Sequence, residues 1–432
     1  MNKVAIRIED KYDQERRIPL VPEDIGYLVK KNNIPIIIQS SKKRVFSDEE
    51  FLHEGAEVSE DISDADVVLG VKEMAPGSFS KDKVYMYFSH VIKGQSYNMP
   101  MLRDLMRSGA TLIDYECIVS DEGRRLVYFG KHAGYAGAIN TLWALGQRLK
   151  RLGNRTPFEN IRQAVTYSSL NEAKTAVAEA GLQIKENGTG LSERPIILGV
   201  TGFGNVSKGV LEILEELPLE MIDPLELLTL DKNKLDSDKV YLVHIRVAHY
   251  LIHKEEKPFS YDHYFAHPKE YRTRFEDFLP LIDVLFNGIY WDHRYPRLVT
   301  QSWLRKRAVE GVQVPLVIGD ITCDPLGSIE CTLSETSIDD PVYMYDPVTG
   351  AWESGFEGNG VAVMAVDILP SEIPREASAF FSGLLREWLP SLAQADFQVA
   401  FEQLKLPDEL KRAVIVHRGK LTPKYAYLKE SL

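Results

Sequence analysis

Cysteine is scarce in this sequence of 432 residues, and its spacing does not suit a cross-linked or zinc-ribbon protein. Only Cys117, Cys323 and Cys331 occur, and no two of them form a CxxC pair. A disulfide framework and a zinc ribbon are therefore excluded. A few unpaired cysteines are typical of a reducing compartment, so we expect a cytoplasmic location.

Long apolar runs and an excess of positive charge are also missing. The N-terminal residues 1–17 are charged from the third position and contain no apolar core of a secretory signal. No apolar run approaches the roughly 18 residues that cross a bilayer. The chain carries 51 Lys and Arg against 63 Asp and Glu, a net charge of −12. This acidic balance argues against nucleic acid and anionic membranes as partners.

Short apolar segments alternate with helix-length polar segments along most of the chain. Such apolar runs occur at 34–39, 66–71, 84–89, 111–115 and 195–201. A long helix is expected over 137–153, further helix over 159–184, and helices return from about Ile368. Apolar strands separated by helices are typical of parallel sheets covered on both faces. The pattern therefore predicts an α/β fold with two parallel-sheet domains.

A glycine-rich turn joins the strand at 195–201 to an amphipathic helix. In the segment TGFGNVSKG, Gly202 allows a tight turn and Gly204 lets backbone N–H groups approach a pyrophosphate. Ser207 stands where the third glycine of the usual dinucleotide fingerprint falls, and Gly209 follows two residues later. A plain strand-to-helix turn is the alternative. The residues expected to bind a nucleotide here are Gly202, Phe203, Gly204, Asn205 and Val206.

An acidic residue follows the glycine turn at the distance expected for a group that holds the adenosine ribose. Asp223 comes about 20 residues after the turn, which by itself favours NAD over NADP. The equally acceptable alternative is that Asp223 caps a helix beginning at Pro224.

Polar side chains cluster where the strands of the first domain end, and the carboxyl ends of parallel strands are where ligands collect. Arg17, after the first strand, suits a substrate carboxylate because its planar fork can bind both oxygens. Each member also has a structural interpretation, as a hydrogen-bonded histidine, an exposed ion pair or a solvated charge. The other residues of this group are Lys72, Glu73, His90, Lys93, Gln95 and Glu116.

The second domain offers fewer candidates for chemistry. Asp320 and Asn287 each follow an apolar strand, and Asp320 is expected near the nicotinamide. No metal is expected, because no His or Cys partners Asp320 at ligand spacing. We interpret the nearby histidines as solvated or capping residues. These are His244, His249, His253, His263 and His267.

Several longer segments are similar to those of a known family. They include ERRIPLVPED, GVKEM, YFSHVIKGQ, VTGFGNVSKG, NGIYWDHRYPRLVT and GDITCDPLGSIE. With them the chain resembles the alanine dehydrogenase/transhydrogenase-α superfamily, and within it the lysine–2-oxoglutarate reductase branch of saccharopine dehydrogenases. The resemblance implies two Rossmann-like domains flanking a cleft, with a discontinuous first domain. We expect a substrate domain over 1–136 and 366–432, and a dinucleotide-binding domain over 137–365.

The resemblance also implies a reaction and roles for the clustered residues. Lysine condenses with 2-oxoglutarate, and the imine is reduced to saccharopine with NAD(H) or NADP(H). Lys72 and His90 would act as acid and base, tuned by Glu73 and Glu116. Substrate carboxylates would be held by Arg17, Lys93, Gln95, Arg124 and Arg125.

Two alternatives remain at this point, and the cofactor is open. One is a related imine-reducing amino-acid or opine dehydrogenase with another amine or keto acid. The other is a non-catalytic nucleotide-binding subunit like transhydrogenase α. Asp223 points to NAD, whereas likeness to the animal branch favours NADP(H). The expected partners are small molecules, namely lysine, 2-oxoglutarate and saccharopine, and a homo-oligomer is left open.

Overall fold

The chain divides into two compact α/β units. The computed structural model describes residues 1–191, 195–236 and 239–432. One unit comprises 1–129 with 374–432, and the other comprises 130–373. This confirms the predicted fold class, two parallel-sheet units of which the first is discontinuous. Among the residues described, no helix has the length and apolar character needed to cross a membrane.

The first unit is built on an eight-stranded sheet with the order β18-β17-β6-β5-β4-β1-β2-β3. The strands from β3 to β6 are parallel, and β17 and β18 add an antiparallel edge. The strand order reverses between β1 and β4, because β2 and β3 are added on one side of β1 and β4 to β6 on the other. In open α/β sheets, ligands bind at such a switch point. Its strands are β1 (Val4–Ile6), β2 (Ile36–Gln39), β3 (Glu57–Ser59), β4 (Val67–Leu69), β5 (Val84–Tyr87), β6 (Thr111–Asp114), β17 (Val414–His417) and β18 (Lys420–Leu421).

Helices cover this sheet, and the returning C-terminal segment contributes to its core. The rings of Phe129 and Phe381 stack with centroids 4.4 Å apart, and Tyr115 meets Phe381 edge-on at 5.0 Å. Such buried aromatic contacts hold the two separate stretches of chain in one core. The helices are α1 (Pro22–Asn32), α2 (Asp48–Glu54), α3 (Met99–Ser108), α11 (Pro374–Leu385), α12 (Leu389–Gln394) and α13 (Asp408–Arg412).

The second unit contains another eight-stranded sheet, with the order β15-β14-β16-β13-β12-β7-β9-β8. The six strands from β16 to β8 are parallel. β7 lies between β12 and β9, and β8 lies outside β9 at the edge. The strands are β7 (Ile196–Thr201), β8 (Leu219–Met221), β9 (Val240–Ile245), β12 (Val284–Asn287), β13 (Val317–Asp320), β14 (Val342–Tyr345), β15 (Trp352–Ser354) and β16 (Val361–Met364), with a separate hairpin of β10 (Leu251–His253) and β11 (Tyr271–Thr273).

The helices of the second unit include a long one that packs on the glycine turn. The Cα atom of Gly134 lies so close to α6 that a Cβ on Gly209 would stand only 3.1 Å from it. The helices are α4 (Gly130–Arg151), α5 (Leu170–Asn187), α6 (Asn205–Leu214), α7 (Pro224–Leu227), α8 (Val247–Tyr250), α9 (Tyr261–Ala266) and α10 (Gln301–Glu310).

Two predicted helix boundaries in this unit are wrong. The helix expected over 137–153 begins earlier, at Gly130, because its first two turns are rich in glycine and hide the helical pattern. The helix expected over 159–184 begins only at Leu170, where the Ser169 side chain accepts a hydrogen bond from the Glu172 N–H and caps it.

Candidate functional site

Three side chains from different strand ends form a chain of charged contacts in the first unit. Glu73 follows β4, His90 follows β5 and Lys11 follows β1. The His90 Nδ1 atom lies 3.2 Å from a carboxylate oxygen of Glu73, and Lys11 donates to the other oxygen. Although burial alone would raise it, hydrogen bonds from His90 and Lys11 lower the pKa of Glu73 to about 2. Glu73 is therefore a fixed negative charge that orients the His90 ring.

Lys72 lies next to these three contacting side chains, and a hydrogen bond of its own backbone fixes its position. Its N–H donates to a carboxylate oxygen of Glu9 at 2.9 Å, and the Val71 N–H donates to the other oxygen at 2.7 Å. Burial raises the pKa of Glu9 to about 7. The Lys72 Nζ atom lies 5.4 Å from the centroid of the Tyr12 ring, within reach of a cation–π contact. The loop after β1 thus fixes the loop after β4.

His90 adopts a backbone conformation that is unusual for a residue with a side chain. Its φ is 52°, in the left-handed region. Its carbonyl accepts a hydrogen bond from Asn98 Nδ2 at 3.2 Å, and its ring lies nearly parallel to that of Phe88, with centroids 6.3 Å apart. The side chain is about one third exposed, at 34%. Strain of this kind concentrates at functional sites, and here it turns the ring toward Glu73.

Glu116 lies at the end of the neighbouring strand β6 and pairs with an arginine. Its carboxylate contacts the guanidinium of Arg125. Its backbone N–H donates to the buried Asp114 at 2.7 Å, and Asp114 also accepts from the N–H of Ser89 at 3.0 Å. Burial raises the pKa of Asp114 to about 6. Asp114 therefore ties the ends of β5 and β6 together.

Arg17 is buried and already holds a carboxylate. Its Nε and terminal nitrogen donate to the two oxygens of Glu15 at 2.8 and 2.6 Å, and its guanidinium stacks 4.3 Å from the Phe129 ring centroid. The sequence analysis did not anticipate Glu15 as its partner. The pairing fixes the guanidinium rigidly at the strand ends.

The remaining residues predicted to bind substrate lie on exposed loops. Lys93 and Gln95 are both exposed in the loop after His90, and Gln95 accepts a hydrogen bond from the Tyr97 hydroxyl at 3.1 Å. Arg124 is exposed and pairs with Glu122 at 3.4 Å. Sequence reasoning missed Glu9, Lys11 and Tyr12, which follow β1, and Asp114, which ends β6, although strand ends were the signal in use.

In the second unit, the glycine turn is tight at Gly202 and open at Gly204. Gly202 has a φ of +95°, and a Cβ there would lie 2.7 Å from the Gly288 carbonyl oxygen. A Cβ on Gly204, by contrast, would meet nothing within 4 Å. The space over Gly204 at the start of α6 is thus open to a phosphate, where helix N–H groups are available. On Gly209, a Cβ would collide with the Lys131 carbonyl oxygen of α4.

A buried polar network joins the ends of β7, β12 and β13. Asn287 Nδ2 donates to Asp320 at 2.9 Å, and Thr201 Oγ1 donates to Asn287 Oδ1 at 2.9 Å. The other oxygen of Asp320 accepts from Thr332 at 2.7 Å. Burial raises the pKa of Asp320. Asp320 is enclosed in this network, so its contacts position Asn287 and the strand ends.

Asp223 does not follow the strand that lies beside β7. It follows the edge strand β8, and its Oδ1 atom accepts a hydrogen bond from the Leu225 N–H at 2.8 Å at the start of α7. Arg246 instead occupies the end of β9, since Ile245 pairs with Thr201. Asp223 therefore does not lie at the end of the strand next to β7, the position that its distance from the glycine turn along the chain suggested.

The histidines of the second unit, which we interpreted from the sequence as solvated or capping residues, include one that is buried. His253 is buried, and its Nε2 lies 3.3 Å from a carboxylate oxygen of Glu270, which is 3.7 Å from His263. Their ligand-type atoms could surround a metal ion. However, His253 Nδ1 accepts the Glu255 N–H at 3.1 Å, so neutral His253 carries its proton on Nε2, the atom a metal would need. We therefore describe this cluster as a hydrogen-bonded one.

Comparison with known proteins gives a family model that matches part of the chain and relatives that match nearly all of it. Residues 5–136 match the family of the alanine dehydrogenase/PNT N-terminal domain. Over 98% of its length, the chain is 38% identical to an alpha-aminoadipic semialdehyde synthase of Arabidopsis thaliana, of which it covers 41%. It is 35% identical to the mitochondrial protein of that name from Mus musculus, covering 99% of the chain and 47% of the relative.

A further relative is similar in length to this chain. A saccharopine dehydrogenase [NAD(+), L-lysine-forming] of Neurospora crassa is 27% identical, with 90% of the chain and 89% of the relative covered. The chain spans somewhat less than half the length of the plant and mouse relatives. Because the mouse relative is named as mitochondrial, the cytoplasmic location stays a prediction.

Solved structures share the fold. An L-alanine dehydrogenase superposes with a TM-score of 0.62 at 20% identity, covering 99% of both chains. A transhydrogenase from Sinorhizobium meliloti superposes with a TM-score of 0.54 at 13% identity, covering 98% of this chain and 100% of the other. At these identities the likeness establishes the fold alone.

Proposed function

We propose that the chain, whose residues 5–136 match the alanine dehydrogenase/PNT N-terminal domain, is an oxidoreductase that condenses L-lysine with 2-oxoglutarate and reduces the imine to saccharopine. The names of its relatives, alpha-aminoadipic semialdehyde synthase and lysine-forming saccharopine dehydrogenase, support this substrate class. The observation that carries the proposal is the contact of Glu73 with both His90 and Lys11, beside Lys72, at the strand ends of the first unit.

The reaction requires protons to move at two stages. The ε-ammonium group of lysine must lose a proton before its nitrogen attacks the ketone, and the resulting carbinolamine must gain one to release water. Lys72 and His90 are the two groups suited to these transfers, because both types of side chain can be tuned to exchange protons near neutral pH. Glu73 keeps the His90 ring oriented through its Nδ1 atom, which leaves Nε2 to exchange the proton.

The substrates together carry three carboxylates, so binding needs several cations. The guanidinium of Arg17 lies at the strand ends, and its two hydrogen bonds to Glu15 hold it in one orientation. Arg125, paired with Glu116, lies at the end of β6. Lys93, Gln95 and Arg124, on exposed loops, complete the proposed set, in which the buried cation orients the keto acid and the loop residues hold the outer carboxylates.

The second unit is proposed to bind the nicotinamide dinucleotide. When bound, that cofactor supplies the hydride that reduces the C=N bond. Gly202 forms the tight turn, the open face of Gly204 admits the pyrophosphate, and Phe203, Asn205 and Val206 surround it. Asn287, fixed by Asp320, holds the end of β12 beside this turn.

The test is a substrate screen with matched variants of the full chain. NADPH and NADH oxidation is followed with 2-oxoglutarate and a panel of amines. We expect turnover that depends on lysine, and a loss of roughly 10²- to 10⁴-fold in Lys72→Met and His90→Gln. Nucleotide affinity should stay unchanged. The exposed residues of the same unit, in Lys42→Met and His53→Gln, serve as controls.

Each other outcome rejects a defined part of the proposal. Turnover with a different amine or keto acid identifies a related imine-reducing dehydrogenase. Nucleotide binding without turnover on any amine identifies a non-catalytic subunit. Full activity in both Lys72→Met and His90→Gln rejects the proton-transfer roles.

A further inference from the structure

A long connection in the second unit is closed by a very short hairpin and carries a compact group of imidazole and carboxylate side chains. The strands β10 and β11 are each only three residues long, and residues 254–270 run between them. His263 lies in α9, His267 follows four residues later, and Glu270 comes three residues after that. Zinc-binding histidines are commonly separated by about three to five residues. The pattern therefore makes these three residues candidate metal ligands.

The three side chains meet around a gap that is too wide for direct hydrogen bonds. His263 Nε2 lies 3.7 Å from Glu270 Oε2, and His267 Nδ1 lies 3.9 Å from Glu270 Oε1. Hydrogen bonds between nitrogen and oxygen span up to about 3.2 Å. Two ligand atoms on one tetrahedral zinc ion are about 3.3 Å apart. A small inward shift of these exposed side chains therefore gives the separations that a bound ion requires.

Tyr271 orients His263 toward this gap. The Tyr271 hydroxyl lies 3.1 Å from His263 Nδ1, and its side chain is buried at the start of β11. When Nδ1 carries the ring proton and donates to this hydroxyl, Nε2 keeps a lone pair directed at Glu270. Histidines that bind metals typically donate their other ring N–H in this way. The contact with Tyr271 thus prepares His263 for coordination through Nε2.

The buried His253 positions Glu270 and is not itself a ligand. Its Nδ1 atom accepts the Glu255 N–H at 3.1 Å, so its proton is on Nε2, which donates to Glu270 Oε2 at 3.3 Å. Each carboxylate oxygen has two lone pairs, so Oε2 can accept this bond and still contact an ion. Carboxylates that bind metals are usually held by such hydrogen bonds. The exposed His267 then supplies the third ligand in place of His253.

Two lysines of the same connection are paired with other groups. Lys257 forms a salt bridge with Glu255 at 2.7 Å. Lys254 Nζ donates to the carbonyl oxygen of Lys269 at 2.7 Å. Neither pairing uses the Glu270 carboxylate, which is therefore left to the imidazoles around it.

From this arrangement we propose that His263, His267 and Glu270 bind a zinc ion, with a water molecule as the fourth ligand. Imidazole and carboxylate groups are ligands that suit Zn²⁺. The ion ties α9 to the start of β11 and so fixes the connection between the two hairpin strands. The site uses none of the residues assigned to lysine, 2-oxoglutarate or the nucleotide, so it stands or falls independently of the proposed function.

The test measures zinc binding by the full-length chain. Protein freed of metals with a chelator is titrated with Zn²⁺ in competition with a chromophoric zinc indicator near neutral pH. We expect one ion per chain, bound with a micromolar or lower Kd. His263→Asn, His267→Asn and Glu270→Gln should each weaken binding by about a hundredfold, because each removes a ligand, and Tyr271→Phe should weaken it by about tenfold.

A matched control and a second measurement make the result specific. His293→Asn removes an exposed histidine of the same unit and should leave zinc affinity unchanged. Hydrogen exchange of the amides in 254–270 should become slower when Zn²⁺ is added to the unaltered chain, and should not change in Glu270→Gln. If the unaltered chain binds no zinc in the micromolar range, or if His263→Asn and Glu270→Gln bind it equally well, the proposed site is wrong.

Discussion

His90 and Glu73 approach to 3.2 Å across the ends of two adjacent parallel strands, β5 and β4. Because the contact uses His90 Nδ1, the opposite ring nitrogen is left for proton exchange. The contact depends on two local features, the left-handed backbone of His90 and the salt bridge that Lys11 brings to Glu73 from the neighbouring strand β1. A small number of residues therefore sets the orientation of the proposed acid–base group.

The charge of Glu73 should make the free energy of unfolding depend on pH in the acidic range. Its folded pKa is lowered from 4.5 to about 2, so it stabilises the fold above pH 4.5 and this contribution disappears as the pH falls through 2. Glu73→Gln should cost up to about 3 kcal/mol of unfolding free energy at pH 6 and much less near pH 2. Denaturant unfolding at both pH values measures this. Glu60→Gln, at an exposed position of the same unit, should show no such difference, and a pH-independent cost in Glu73→Gln would contradict the assignment.

Glu372 should produce the opposite trend in the second unit. Its carboxyl is buried, accepting hydrogen bonds from Asn140 Nδ2 at 2.7 Å and from the Val165 N–H at 3.2 Å. Burial raises its pKa to about 8. The folded state then keeps a proton that the unfolded state loses near pH 4.5. Unfolding free energy should therefore fall between pH 5 and 8 by as much as about 1.4 kcal/mol per pH unit relative to Glu372→Gln.

Unfolding curves of the two proteins at half-unit pH steps give this slope directly. The absolute stability of Glu372→Gln will differ, because the amide nitrogen of glutamine replaces an oxygen that accepts a hydrogen bond, so the informative quantity is the change with pH. Parallel curves for the two proteins would show that Glu372 does not keep its proton.

The two glycines of the turn should separate stability from binding. A Cβ on Gly209 collides with the Lys131 carbonyl oxygen, so Gly209→Ala should destabilise the protein by about 2 kcal/mol or more. A Cβ on Gly204 meets nothing, and its φ of −78° suits alanine. Gly204→Ala should leave stability within about 0.5 kcal/mol but weaken nucleotide binding by roughly tenfold or more, because the methyl group fills the space proposed for the pyrophosphate. Thermal unfolding and nucleotide titration of both variants decide, and unchanged binding in a stable Gly204→Ala would reject the pyrophosphate site.

The sequence predicted those parts of the fold that depend on local patterns. Buried strands such as β4 and β7 appear as apolar runs, and the turn at Gly202 is visible from its glycines and flanking elements. Lys72, Glu73 and His90 were found because they directly follow such runs. The glycine-rich start of α4 was missed, since it lacks the apolar spacing of a helix.

Other features depend on contacts that no local pattern encodes. Arg17 and Glu15 pair because both are buried in the loop after β1. That loop has no regular spacing of apolar and polar residues from which the pairing could be predicted. Lys11 and Tyr12 lie in that same loop and reach the site only because β1 is placed beside β4. The place of Asp223 beside the edge strand could not be predicted for a related reason, because distance along the chain does not reveal which strand lies next to β7.

The order of β8 and β9 in the sheet affects how the residue beside the glycine turn can be located in related sequences. The end of β9 faces the glycine turn through strand pairing, while Arg246 lies roughly twice as far from Gly202 along the chain as Asp223 does. Insertions or deletions between β8 and β9 would change the number of residues between Gly202 and Arg246 without moving Arg246 from the end of β9. In homologues and in redesign, the residue beside the glycine turn is therefore better located by aligning β9 than by searching at a fixed interval downstream of the glycines.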